Sequence, residues 1–198
     1  YKVPFSGRAH NYTEDEVQTV IDAMQTAVPL TQGRHQEQFQ QKFCKYTGAK
    51  QAFAFNNATA ALEITAQLCQ FKPDDEVIIP AHTYTASAYP FLKKGAKIIW
   101  ADIDLKTRVV TPQTIEQCIT KKTKAIVVVH LYGFPSKISQ LKKICKKNNI
   151  ILIEDAAEAV GSFLKGKHLG TFANAGILSF NGNKTITTGG GGAILVNS

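Results

Sequence analysis

Lys184 sits in the turn Asn181-Gly182-Asn183-Lys184-Thr185, just after an apolar run from Ala175 to Phe180 that reads as a buried strand, and ahead of four successive glycines, Gly189 to Gly192. A surface lysine needs no glycine beside it. A lysine that must meet a flat molecule does, because glycine lets the backbone approach closely and the turn fixes the exit angle of the amine. A second cluster, Ile150-Ile151-Leu152-Ile153-Glu154-Asp155-Ala156-Ala157-Glu158, ends another buried strand in carboxylates. An amine able to condense with an aldehyde, and a carboxylate leaving an apolar strand, are two of the groups that pyridoxal phosphate (PLP) chemistry requires.

That chemistry sets four demands: an amine for the aldehyde, a carboxylate to keep the pyridine nitrogen protonated, donors for the phosphate and a flat neighbour for the ring. Lys184 is the candidate amine, against the plain alternative of a solvated lysine. The run from Ser179 to Gly192 has no evident structural need for so much glycine and hydroxyl. Asp155 is the candidate carboxylate, because an apolar strand leaves its charge in need of a cationic partner; the competing reading is a helix N-cap. Glu154 faces the opposite way and reads as structural. Asn57-Ala58-Thr59 opens a helix whose free N–H groups and dipole favour an anion, and Ser179 adds a hydroxyl. Tyr84, in Pro80-Ala81-His82-Thr83-Tyr84, is the candidate ring neighbour, although a core tyrosine is the commoner fate of such a residue. His82 and His130 read as hydrogen-bonded pocket or core histidines, and Arg34 and His35 as residues at a substrate entrance.

The elements that must position these groups follow from the spacing. Thr13 and Glu16 form a capping box opening a helix through about Ala27, which Pro29 stops. Phe39, Phe43 and Tyr46 recur at helical spacing before a C-terminal glycine, Gly48. Beyond that, short apolar runs (52–55, 77–79, 98–100, 125–129 and 150–153) alternate with helical segments (59–70, 85–93, 112–119 and 136–148), and residues 192–196 read as a further strand. Strict alternation predicts an α/β fold, a mainly parallel sheet covered by helices on both faces. Ligands of such sheets bind beyond the carboxyl ends of the strands, where Asn57, Tyr84, His130, Asp155 and Glu158 all fall.

Composition narrows the function classes. The chain has 198 residues, 44% of them apolar and 19% charged, which suits one ordinary globular domain and argues against long disorder. No apolar run approaches the roughly 20 residues of a membrane span, and the start has no signal-peptide pattern. The net charge of +8 comes from lysines that are scattered or share one helix face without aromatic platforms, so nucleic acid is not the expected partner. Positive potential would instead draw in phosphorylated substrates. The four cysteines lack metal or disulfide spacing, so no metal site is expected and a reducing cytoplasmic setting fits.

Five motifs in order, Asn56-Asn57-Ala58-Thr59-Ala60-Ala61-Leu62, Pro80-Ala81-His82-Thr83-Tyr84-Thr85-Ala86-Ser87, Val129-His130-Leu131-Tyr132-Gly133, Glu154-Asp155-Ala156-Ala157-Glu158-Ala159, and Ser179-Phe180 with Lys184 and Gly189 to Gly192, resemble the DegT/DnrJ/StrS family of nucleotide-sugar aminotransferases. The resemblance covers nearly the whole chain. It implies the three-layer α/β/α large domain of PLP fold type I over residues 1–198, with an N-terminal helix and loop (1–33) packing on it. Lys184 would then carry the Schiff base and shuttle the proton, Asp155 pair with the pyridinium and Tyr84 stack on the ring. Glu158 would lie near the cofactor's 3-hydroxyl, and Ala58, Thr59 and Ser179 at its phosphate. At Ala58 family members usually carry glycine. The implied partners are a nucleotide-sugar and an amino acid, usually glutamate, in a homodimer with shared active sites that serves polysaccharide or amino-sugar biosynthesis. Such enzymes run to nearly twice this length, which implies that the C-terminal small domain is absent here.

Three other readings remain beside it. One is a PLP-dependent sugar dehydratase on the same scaffold, in which histidine typically replaces the lysine. Another is a non-catalytic ligand-binding or regulatory domain. A dinucleotide-binding oxidoreductase is weaker, because Asn56-Asn57-Ala58-Thr59 stands where a G-x-G-x-x-G turn would be needed.

Overall fold

The structure, a computed structural model, describes residues 11–197. Its first helix, α1 (Glu14–Thr26), starts at the expected capping box: the Thr13 N–H donates to Glu16 Oε2 at 2.7 Å and the Glu16 N–H to Thr13 Oγ1 at 3.3 Å. None of its residues is buried. Residues 1–10 of the expected N-terminal segment lie outside the described residues. Helix α2 (Arg34–Thr47) ends at Gly48, whose φ of 75° is the left-handed conformation that glycine adopts without steric cost. Phe39 and Phe43 of α2 stack on each other, and both meet Phe180 edge-on, at ring separations of 5.6 and 5.7 Å. Helix α2 thereby anchors the backbone just before the Lys184 turn.

After α2 come β1 (Gln51–Phe55), α3 (Ala58–Leu68), β2 (Glu76–Pro80), a 3-10 turn (Thr85–Ser87), α4 (Tyr89–Lys93), β3 (Lys97–Ala101), α5 (Pro112–Glu116) and β4 (Thr123–Val129). A second 3-10 turn (Leu131–Gly133) leads to α6 (Ile138–Asn148) and β5 (Ile151–Asp155). A small hairpin, β6 (Phe163–Leu164) and β7 (Lys167–His168), precedes β8 (Ala175–Ser179) and β9 (Gly192–Val196). Sequence pattern gave no sign of the two-residue hairpin strands, which are too short to show a period.

Seven strands form one sheet in the order β1-β9-β8-β5-β4-β2-β3. The pairs β8-β5, β5-β4, β4-β2 and β2-β3 are parallel, and β9 runs antiparallel to both of its neighbours. The expectation of a mainly parallel sheet holds. Strand β9 is the exception because the chain returns from β8 through a turn, without the helical crossover that a parallel partner needs.

Alternate residues of the central strands enter different cores, as a sheet covered on both faces requires. Ile79, Val127, Ile153 and Ile177 pack with Leu62 and Phe91 of α3 and α4. Ile78, Ile126, Val128 and Leu152 pack with Ile115 of α5 and Ile138 and Leu141 of α6. No described helix is long and apolar enough to cross a membrane. All four cysteines are free, and burial pushes the thiols of Cys69 and Cys145 up to about 11 and about 12, which makes them inert near neutrality.

Gly176 has a packing reason: a Cβ there would run into the backbone of Gly170, whose N–H is held by Glu154 on the neighbouring strand. Gly176→Ala should therefore cost about 3 kcal/mol or more, as overpacking of backbone against backbone does. Urea unfolding of the variant would measure it, and a midpoint equal to that of the parent chain would contradict this account of the crossing.

Candidate active site

Strands β4, β5 and β8 end at one cavity of about 390 Å³, into which α3, the Thr85–Ser87 turn and the β8–β9 turn also project. Asp155 is the last residue of β5, set between Val129 of β4 and Ile177 of β8. Its Oδ2 accepts the Ser87 hydroxyl at 2.6 Å and its Oδ1 the Ala157 N–H at 3.1 Å. Burial pushes its carboxyl above the usual range, and these two hydrogen bonds and the charge of Lys184 oppose the shift only in part. A buried carboxyl of this kind is stabilised as an anion by a cation placed against it. The N-cap reading captures only the Ala157 contact.

Lys184 lines the same cavity, with its side chain 18% exposed and Nζ 3.2 Å from Glu158 Oε1. The other Glu158 oxygen accepts the Tyr132 N–H at 2.8 Å. One carboxylate thus ties the lysine to the Leu131–Gly133 turn. The solvated-lysine reading does not describe this side chain. Ser179 is buried at the end of β8, and its hydroxyl accepts the Asn181 N–H at 3.4 Å.

Ala58 and Thr59 begin α3, where the first N–H groups have no acceptor within the helix. Asn57 caps a third, accepting the Ala60 N–H at 2.7 Å. The backbone of β9 presses against this corner: a Cβ on Gly192 would lie 2.6 Å from Ala58 N. A Cβ on Gly191 would lie 2.5 Å from Thr188 Oγ1. Two of the four glycines therefore have a packing role, which corrects the expectation that the run lacks a structural need. Tyr84 is 78% exposed at the cavity mouth, not in the core.

Other residues resolve into supporting roles. Glu154 faces away from the cavity, as expected, and accepts the N–H groups of Gly170, Phe172 and Ala173 at 2.7–2.8 Å. His130 is fully buried, accepts the Ser136 N–H on Nδ1 and donates from Nε2 to Glu154 at 2.9 Å, which makes it a core histidine. His82 is exposed on its loop instead. Arg34 bonds Thr26, and neither Arg34 nor His35 lines the cavity.

Two hydroxyls gain roles that the sequence did not announce. Ser87 holds Asp155, and Thr83 lies 2.7 Å from Ser87. Their only advance signal was a run rich in hydroxyls directly after β2. Among the described residues no cluster suited to a metal ion occurs.

The residues at the cavity fit the four demands of PLP: an amine, a buried carboxyl, helix N–H donors with a nearby hydroxyl, and a tyrosine at the mouth. Comparison with known proteins points the same way. A profile of the DegT/DnrJ/EryC1/StrS aminotransferase family matches residues 10–198. GDP-perosamine synthase of Escherichia coli O157:H7 is 40% identical over 185 residues, which cover 93% of this chain and 51% of that protein. The PLP form of a Streptococcus pneumoniae protein described as a candidate sugar aminotransferase superposes with a TM-score of 0.92 at 32% identity, over all of this chain and 54% of that one. An E. coli GDP-4-keto-6-deoxy-D-mannose-3-dehydratase with bound hydrated PLP gives 0.89 at 26% identity, over 99% of this chain and 52% of that one. The chain thus spans about half the length of the relatives it matches. With a family profile running from residue 10 to the last residue, and a fold and site that agree with it, the chain belongs to the DegT/DnrJ/EryC1/StrS aminotransferase family.

Proposed function

We propose that this chain is the cofactor-binding half of a PLP-dependent aminotransferase that moves an amino group from an amino acid, glutamate by preference, to a keto group on a nucleotide-linked deoxysugar. The observation that carries the reading is that Lys184 and Asp155, on different elements, line one cavity. When bound, the cofactor supplies an aldehyde that takes up the amino group and a ring that draws electrons from the reacting carbon.

The protein's part is to hold and to move protons. Asp155 would hold the pyridine nitrogen protonated, and that cation would stabilise the buried carboxylate, whose pKa burial raises. Lys184 would hold the aldehyde end of the cofactor through Nζ, and the same amine would move the proton at the reacting carbon. Glu158 keeps that amine within reach of the cavity. The N–H groups of Ala58 and Thr59, with the Ser179 hydroxyl, would take the phosphate, and Tyr84 would cover the ring.

A homodimer with shared active sites, in the cytoplasm and in the service of surface-polysaccharide synthesis, completes the proposal. Support for the biosynthetic role comes from relatives such as a GDP-perosamine synthase, about half of whose length this chain covers. The dehydratase alternative has a solved neighbour on the same fold. Lys184 stands against it, since that chemistry goes with a residue that does not retain the cofactor covalently.

Borohydride treatment of the purified protein with PLP should fix the cofactor to Lys184, and Lys184→Ala should abolish both the trapping and the long-wavelength absorbance. Trapping on another lysine, or an unchanged band in the variant, would overturn the assignment. With a keto-sugar nucleotide and glutamate, the product of the complete enzyme should be aminated; a deoxygenated sugar would favour the dehydratase.

The raised carboxyl of Asp155 gives a pH test without PLP. Its folded pKa lies above the unfolded value of about 3.9, so the folded state binds more protons and loses stability as pH rises from there through the folded pKa. Asp155→Asn lacks this loss. The stability difference should move in the variant's favour as pH rises, and PLP should move it back toward the parent; a difference flat with pH would contradict the account.

A further inference from the structure

A chain of two hydroxyls ends on Asp155. Thr83 Oγ1 lies 2.7 Å from Ser87 Oγ, and the Ser87 hydroxyl donates to Asp155 Oδ2 at 2.6 Å. Thr83 and Ser87 both border the cavity that holds Lys184. Resting on the reading of that cavity as a PLP site, we propose that Ser87 and Thr83 are positioning residues: acting through Asp155, they keep the proton shared by carboxyl and pyridine on the ring nitrogen.

Hydrogen counting fixes the direction of the chain. An ionised carboxylate only accepts, and a serine hydroxyl has a single proton to give. With that proton on the bond to Asp155, the Ser87 oxygen is left as an acceptor, so the Thr83 hydroxyl donates to it. Both protons therefore point toward the carboxylate. The 2.6 Å separation suits a hydroxyl bonded to an anion, and each bond in such a chain polarises the next. Neither hydroxyl has a second partner among the described residues. A proton arriving on Oδ2 would have to reverse the chain or break it.

The serine also ties two parts of the site together. Ser87 is 1% exposed, and its own N–H donates to Tyr84 O at 2.9 Å. The turn that presents Tyr84 at the cavity mouth is thus fastened to the end of β5 by the Ser87 side chain. Among the groups that oppose the effect of burial on Asp155, the Ser87 hydroxyl acts most strongly. Next come the Ala157 N–H and Lys184, from the turn after β8, whose amine is bonded to Glu158. His130, after β4, already bonds Ser136 and Glu154 through its two ring nitrogens. Against a pyridine, a carboxylate stabilised by donors leaves the shared proton on the ring, whereas a more basic one draws it back.

Carbon-13 NMR of the protein labelled at its aspartate side-chain carboxyls reads this proton, with Asp155→Asn assigning the signal. Without PLP, Asp155 should titrate at higher pH in Thr83→Val than in the parent chain and at higher pH still in Ser87→Ala, whereas Thr83→Ser should follow the parent. With PLP bound, the parent signal should stay at its anionic position near neutral pH, and that of Ser87→Ala should move toward the protonated one. Thr83 is only half-buried and valine keeps its shape, so Thr83→Val carries the test if Ser87→Ala does not fold. A merely structural role for the two side chains would alter stability without producing this order. Ser87→Ala or Thr83→Val titrating with the parent, or Thr83→Ser shifting along with Thr83→Val, would overturn the proposal. Failure of borohydride to trap PLP on Lys184 of the parent chain, with the titrations in the expected order, would instead strike the cofactor reading and leave the hold of the hydroxyls on Asp155 standing.

Discussion

The buried carboxyl of Asp155 is the constraint from which the rest of the site takes its form. A parallel sheet delivers it: β5 runs between β4 and β8, and its last residue emerges where all three strands end. Burial there disfavours the anion, and the Ser87 hydroxyl and Ala157 N–H compensate only part of that cost. The group is consequently prepared for a cation that the polypeptide itself does not place in hydrogen-bonding contact with it. Lys184 is close enough to act on it through space, yet its amine is bonded to Glu158. A pyridinium nitrogen placed against Asp155 would supply the missing cation while Glu158 keeps its bond to the lysine.

The scaffold around this carboxyl is held by interactions that touch no ligand. Glu154, the residue before Asp155, points to the other face and gathers three backbone N–H groups and His130 around itself. Alternation along one strand thus separates an anchoring acid from a functional one. The Lys184 turn is fixed in a similar way, by Phe180 packed between α2 side chains on one flank and by β9 lying against the start of α3 on the other. The glycines at 191 and 192 are what allow that closeness, and it also brings the lysine turn to the helix N-terminus where an anion would sit.

Much of this was legible in the sequence, for identifiable reasons. Apolar runs of strand length separated by helical spacing specify a parallel sheet, and the placement of polar residues at strand ends then follows from topology. The Thr13–Glu16 capping box, the Gly48 terminus and the meeting of Lys184 and Asp155 at one cavity all agree with the pattern. What escaped were features set by contacts distant in sequence: the antiparallel insertion of β9 between β1 and β8, the role of Ser87 as a partner of Asp155 across 68 residues, and the attachment of Glu158 to both Lys184 and Tyr132. The glycine run was read as purely functional because nothing in a linear sequence tells that two of its members face a helix terminus and a threonine. His82 was expected to be held in a pocket and is exposed, since a loop histidine carries no periodic signal of its burial.

The central claim is that Asp155 holds a protonated pyridine nitrogen while Lys184 holds the aldehyde end of the same molecule. Nitrogen-15 NMR of the protein loaded with PLP labelled at the ring nitrogen reads that proton directly. The account predicts a pyridinium shift in the parent protein that persists above neutral pH and reverts to that of an unprotonated ring in Asp155→Asn. An unprotonated nitrogen in the parent protein, or a pyridinium shift that survives the substitution, would contradict it.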